Sequence, residues 1–302
     1  QFYWRKNYKI KFKGGFILHD GSTVSVYAMN ENAIPVSTFT MKADVASSEG
    51  AYNVVSAKLY NELCPYKTPA QEVDPRARHS IDGFPMVIFW DGPNGMQFMG
   101  KYNFNNDKGV PESFGLKAGD ERWEVLENGN DLVGFHSADF VNNDWTKSFE
   151  GNFPDGNTNT TKLQQMCAWV NSTKGNPEKF AAELDQWFVP EMVDYYYLFT
   201  ELFLCMDQRE KNVLWRYDAS IQRWWADYYD ADSTFGYNNQ GKPTFDYYHE
   251  DTDYTASGDP VYNGQNSVFW NNAIKTTGKK AIRSVAHNCI TIISTIKSRV
   301  IF

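Results

Sequence analysis

DQREKNVLWRYDASIQRWWADYYDADSTFG, residues 207–236, sets a turn-forming acidic segment at each end of a short hairpin. NVLWRY and RWWADYYDAD are rich in aromatic and aliphatic residues, as strands are, and DASIQ between them is a turn. The hairpin carries the chain back from Asp207 and Asn212 to Asp230-Ala-Asp232, so groups distant in sequence are expected to face one another.

The same reading extends outward from the hairpin. Upstream, the spacing predicts helices over 161–173, 177–188 and 190–205, with FEGNFPDGNTNTT (149–161) as a long loop. FPMVIFW (84–90), the turn DGPNG and MQFMGKYNF (96–104) form a second hairpin. STFTMKAD (37–44) is a strand leading into a helix over 49–63, with Ser47 and Ser48 as N-cap residues. YWRKNYKIKF (3–12) and FILHD are strands around Gly14-Gly15, and Pro65 to Arg78 is a loop. Downstream, 237–266 reads as irregular and 267–302 as two helices. A sheet-rich N-terminal half followed by a mainly helical C-terminal half implies an α+β fold with two lobes, about 1–135 and 136–302, in one domain.

Composition excludes several functions. With 29 Lys+Arg against 37 Asp+Glu, the net charge of −8 argues against general binding to nucleic acid or to an anionic membrane. The longest nearly apolar run, Val193 to Met206, carries Asp194 and Glu201 and is too short to span a bilayer. Cys64, Cys167, Cys205 and Cys289 lie far apart and read as buried thiols rather than a zinc site or disulfide framework. The chain opens on Gln1, which suggests a fragment of a longer polypeptide. Aromatics are 16% of residues, which points first to a secreted protein that stacks sugars or to a core of large flat side chains.

The chemistry sits in the two acidic segments. Phosphoryl transfer needs hard oxygen ligands for Mg²⁺ and a base near the attacking hydroxyl. Asp207 and Asn212 have the Asp-x-x-x-x-Asn spacing of a kinase catalytic loop. Asp230 and Asp232 stand after a hairpin, where kinases place a second metal-binding Asp. Lys42, on a strand leading into a helix, has the setting of the lysine that reaches the α/β-phosphates. Lys9 on the Lys-rich first strand competes for that role, and Asp44 either supports Lys42 or caps the helix. No G-x-G-x-x-G loop is present, and Cys205-Met206 stands where kinases carry His-Arg.

DQREKN followed by YDADSTFG resembles the signature of the CotH family, the spore-coat protein H-like kinases. RKNYKIKF, FTMKADVASSEGAYN and IDGFPMVIFW with GKYNF resemble further family segments in the same order. WEVLENG (123–129) and FEGNFPD (149–155) resemble versions found in phage tail and other virion proteins. The resemblance covers about residues 5 to 270. It implies an atypical protein-kinase-like fold that uses ATP and Mg²⁺ to phosphorylate a protein serine or threonine. Under it, Asp207 is the base-like carboxylate, Asn212 a metal ligand, and Asp232 the favoured metal-binding Asp with Asp230 as neighbour or alternative. Lys42 or Lys9 would hold the phosphates. The implied setting is a phage virion, or else a spore coat or other extracellular surface, with a protein substrate or neighbouring virion subunits as partners. A catalytically inactive structural module on the same scaffold is the alternative.

Other clusters carry weaker expectations. Trp224-Trp225 and Tyr195-Tyr196-Tyr197 could form a sugar platform, although their place in the predicted strand and helix favours core packing. Arg76, Arg78 and His79 make a small basic patch, and Glu250, Asp251 and Asp253 an acidic loop.

Overall fold

The computed structural model describes residues 5–44, 50–126, 135, 148–205, 207–209, 211–238, 241–243 and 267–276. The fold is mixed α+β. β1 (Tyr8–Lys11), β2 (Phe16–Ile17), β3 (Thr23–Val24) and β4 (Thr38–Lys42) lead into α1 (Tyr52–Leu63), α2 (Pro69–Val73) and the hairpin β5 (Gly83–Gly92)/β6 (Gly95–Asn106). The first sheet has the order β1-β4-β6-β5, with every neighbouring pair antiparallel.

Alternation along TFTMK decides what β4 presents. Phe39 is fully buried, stacks on Phe104 at 4.8 Å and joins Met29, Ala33 and Val36 in a small core. Thr40 and Lys42 therefore share the opposite face. α1 begins at Tyr52 with Ala51 at its N-cap and no side-chain cap, and Ser47 and Ser48 lie outside the described residues. Its buried stripe is Asn53, Ser56, Ala57 and Tyr60. Tyr60 stacks on Tyr228 at 4.8 Å, so this helix bridges from the first sheet to the larger core. Within the expected loop 65–78, Thr68 and Gln71 form a reciprocal capping box that starts the short α2.

The second sheet combines β7 (Glu121–Val125), β8 (Phe149–Phe153), β9 (Val213–Asp218) and β10 (Arg223–Tyr228) in the antiparallel order β10-β9-β7-β8. The β9/β10 hairpin matches the sequence reading. β8 falls in the segment expected to be a loop, and β7 carries no apolar alternation. The β7 departure has a physical cause: ERWEV is buried with its charges paired in place. Arg122 pairs with Asp227 at 3.6 Å, and Glu121 pairs with Lys162 at 3.1 Å. A charged residue at a core position erases the hydrophobic pattern from which a strand is read. The C-terminal half consequently holds three strands of this sheet and is less purely helical than expected.

α3 (Thr161–Ser172), α4 (Pro177–Trp187), α5 (Pro190–Leu202) and α6 (268–276) cover the second sheet. Asn176 caps α4 by accepting from the Lys179 N–H at 3.0 Å. The large core draws on both layers: Trp215, Trp224 and Trp270, with Phe188 and Phe269, are at most 1% exposed. Trp224, Trp225 and Tyr196 are at most 1% exposed, so the core packing favoured for these clusters over a sugar platform is what forms. Among the described residues no helix is long and apolar enough to cross a membrane. The acidic loop at 250–253 and the last expected helix lie outside the described residues.

Candidate active site

Five chain segments meet at the C-terminal end of β4. β4 delivers Lys42 and then Asp44, α1 delivers Asn53, and β6 delivers Asn103. The loop after α5 brings Asp207 to Asn212, and the end of β10 brings Tyr229 to Asp232. Backbone hydrogen bonds stitch the last two loops together, because Phe235 N–H donates to Phe203 O at 2.7 Å and Gly236 N–H to Leu204 O at 3.2 Å. Among the described residues, five of the seven non-glycine residues with positive φ lie here: Asp44, Leu204, Asn212, Asp230 and Phe235. A backbone conformation that L-residues disfavour persists where the surroundings over-determine it, and such positions concentrate at functional sites.

Lys42 forms an ion pair with Asp230, 188 residues away in sequence. Their side chains are 13% and 25% exposed, so the pair is sheltered but open on one side. Burial on its own would depress the Lys42 ammonium; attraction from Asp230, Tyr229 and Asp232 outweighs it and holds the group above the usual lysine range. The ammonium also lies 4.9 Å from the centre of the Tyr229 ring.

The Asp230 carbonyl ties the two acidic segments together. It accepts from Gln208 Nε2 at 2.9 Å and from Asn212 Nδ2 at 3.5 Å. The same Asn212 amide reaches Asp207 Oδ2 at 3.5 Å, and Lys211 Nζ stands 3.6 Å from Asp207 Oδ1. Asp232, next in the turn, is surrounded by acids. Burial, then repulsion from Asp230, Asp44 and Asp207, pushes its carboxyl up to about 8, with Lys42 pulling the other way. Asp44 is buried and raised by the same desolvation, although Asn103 Nδ2 donates to it at 2.7 Å.

The structure thus brings Lys42, Asp207, Asn212, Asp230 and Asp232 to one place. Lys9 stands elsewhere: its ammonium pairs with Asp107 at 3.0 Å on the outer edge of the first sheet. Of the basic patch, Arg76 pairs with Asp74 and Arg78 with Asp82, while His79 is buried against Gln71.

Two site residues carry a signal that the sequence reading passed over. Asn53 is 1% exposed, and its Oδ1 accepts from the Ala231 N–H at 3.2 Å, which fixes the Asp230-Ala-Asp232 turn to α1. It is a polar residue inside an apolar helical stripe, and that position is visible in the sequence. Asn103 alternates with apolar neighbours along β6 in the same manner.

Whether these groups suit a magnesium ion can be judged from their donors. Among the described residues no three His, Cys, Asp or Glu side chains converge as a ready-made metal cluster. Mg²⁺ seldom uses such a cage; it takes one or two carboxylates and completes its shell with water and substrate phosphates. Asp230, Asp232 and the Asn212 amide supply hard oxygens of that kind. Buried oxygens without a hydrogen-bond partner adjoin them, namely Asp44 Oδ1, Asn103 Oδ1 and Gln208 Oε1. The donor set fits.

Comparison of the chain with known protein families and with curated proteins gives no match.

Proposed function

We propose that this chain is a CotH-like, two-lobed phosphotransferase domain that moves the γ-phosphoryl of ATP to a serine or threonine hydroxyl of a protein. The observation that carries this reading is the Lys42–Asp230 pair, anchored through the Asp230 carbonyl to Asn212 and from there to Asp207. The β9/β10 register alone brings Asn212 to Asp230; the arrival of Lys42 from β4 at the same place is the part that a hairpin between two turns would not supply.

In this reading Asp207 orients the acceptor hydroxyl and takes its proton as the oxygen–phosphorus bond forms and the bond to the β-phosphate oxygen breaks. Lys42 neutralises the α/β-phosphates. Asp230, Asp232 and Asn212 hold Mg²⁺, which when bound offsets phosphate charge. Asn53 keeps the acidic turn in register with α1. The proposed setting is a phage virion or another extracellular surface such as a spore coat. Incubation with γ-labelled ATP, Mg²⁺ and a mixture of serine-rich protein acceptors is expected to give label transfer that disappears in Asp207→Asn. No transfer together with no Mg²⁺-dependent ATP binding would contradict the reading.

A second reading, a structural module that works by subunit contact, draws on one observation. The β5/β6 hairpin exposes Val87, Phe89, Trp90, Met96 and Phe98, each more than half accessible. Contiguous apolar side chains on a projecting arm mark an interaction surface. If contact alone is the function, Trp90→Ser will abolish assembly while Asp207→Asn leaves it intact and no ATP is bound.

A further inference from the structure

At the opposite end of the second sheet, a cavity of about 280 Å³ opens between α3, the end of α4 and the β9/β10 turn. Its lining includes Lys162, Gln165, Gln186, Trp187, Tyr217 and Gln222. Its floor, at Trp224, and Asp230 are six positions apart along β10 and the turn after it, at most about 20 Å, and no lining residue belongs to the Lys42–Asp230 site.

The walls have a definite chemistry. Tyr217 packs on the buried Trp224 with ring centres 5.2 Å apart, and Trp187 stacks on Trp169 at 5.9 Å and 20°. Both half-buried rings are thereby held rigid while keeping accessible surface at the cavity. The Lys162 ammonium lies 4.7 Å over the Tyr217 ring and 3.1 Å from Glu121 Oε1, and Glu121 Oε2 also accepts from Trp123 Nε1 at 3.0 Å. Lys162 is the one charged side chain of the lining, and its pairing with Glu121 offsets that charge. The remaining polar groups are three exposed glutamine carboxamides, Gln165, Gln186 and Gln222. Gln222 holds a left-handed backbone, φ 55°, at a turn position that glycine or asparagine ordinarily fills. Its carboxamide is thus carried to the cavity at a backbone position that disfavours any side chain.

A rigid aromatic wall at Trp187 combined with neutral groups that both donate and accept matches one ligand class well. A pyranose presents C–H bonds on its flat face and hydroxyls, each a donor and an acceptor, around its edge. We propose that this cavity binds a neutral saccharide, with one sugar ring against Trp187, the Lys162-covered Tyr217 ring beside it, and its hydroxyls on Gln186 and Gln222. The sequence-level idea of a sugar platform thus returns on different residues, because Trp224 is the floor and Trp225 is buried elsewhere. A saccharide site on this face would dock the domain on a glycan-bearing surface independently of phosphoryl transfer.

Saturation-transfer NMR and titration calorimetry with glucose, galactose, mannose, N-acetylglucosamine and their soluble oligomers test the assignment. At least one is expected to bind, and Gln186→Ala and Gln222→Gly are each expected to weaken it about tenfold, the loss of one or two hydrogen bonds. Gln222→Gly suits the left-handed turn, so its melting temperature should hold or rise and the loss cannot be put down to unfolding. Lys42→Met should leave saccharide binding unchanged, which separates this site from the proposed phosphotransferase centre. The assignment is overturned if no sugar in the panel binds, or if binding survives both glutamine substitutions. It is equally overturned if a polyproline peptide, which also favours aromatic grooves, occupies these residues in place of a sugar.

Discussion

Replacing Lys42 by methionine tests how the acidic loops are held. The substitution keeps the length of the side chain but removes the cation paired with Asp230. Fully exposed pairs contribute about 0–1 kcal/mol, whereas removing one partner of a fully buried pair costs about 3–5 kcal/mol. With side chains 13% and 25% exposed, this pair falls between those limits, and a loss of about 2 kcal/mol is expected. For a domain of this size that corresponds to a fall in melting temperature of roughly 4–8 °C. The effect should also depend on pH, with a definite sign. Asp232 is pushed up to about 8 in the folded protein, against an ordinary value of 3.8. The folded state therefore keeps a proton that the unfolded chain has released. The stability linked to that proton is complete below the unfolded value and is lost as pH rises through about 8. Lys42 holds Asp232 down, so Lys42→Met raises it further and makes its ionisation costlier. Melting curves at about pH 6 and about pH 9 should show a wider gap between wild type and variant at the alkaline value. Equal gaps, or a variant that gains on wild type as pH rises, would refute the electrostatic account of this cluster.

Three other substitutions follow from particular contacts. Asn53→Ala strips the buried Ala231 N–H of its acceptor, at about 1–3 kcal/mol, but also removes the unpartnered Asn53 Nδ2. A modest fall in melting temperature of about 2–4 °C with a larger loss of ATP affinity is expected, and calorimetry on Asn53→Asp, which keeps the acceptor, checks whether affinity returns. Lys9→Ala disturbs only an ion pair whose lysine is 64% exposed, so label transfer should match wild type. Arg122→Met removes one of two guanidiniums that face Asp227 in the core, where both side chains of the pair are at most 1% exposed, and leaves Arg216, so urea denaturation should register a loss below the about 3–5 kcal/mol of a fully orphaned buried charge. Burial already raises the Asp227 carboxyl, so that loss should shrink in acid as the carboxyl, left with Arg216 alone, takes a proton.

The sequence and the structure agree best where local pattern is sufficient. Alternation in TFTMK puts Phe39 in a core and Lys42 on the other face, and the aromatic runs on either side of DASIQ close a hairpin that returns the chain to Asp207. Both inferences need only strand period and turn chemistry, and together they assemble most of the candidate site. The strand at 121–125 escaped because Glu121 and Arg122 are buried with partners from α3 and β10, information that no window of sequence contains, and the strand at 149–153 because Gly151 and Asn152 give it the composition of a turn. Asn53 and Asn103 escaped for a related reason. Each is a polar residue at a core-facing position whose partner, Ala231 or Asp44, comes from another segment. The aromatic richness that first suggested a sugar platform is mostly core, with five of the tryptophans built into one cluster around β9, β10 and α6.

The central claim is that Lys42, Asp207, Asn212, Asp230 and Asp232 form one nucleotide site. Isothermal titration of the protein with ATP, with and without Mg²⁺, and of the Asp232→Ala variant, addresses it most directly. ATP should bind only with Mg²⁺, more tightly as pH rises through about 8 and Asp232 ionises, and Asp232→Ala should fold normally yet lose that binding. ATP binding that ignores Mg²⁺ and survives Asp232→Ala, or no ATP binding under any of these conditions, would contradict it.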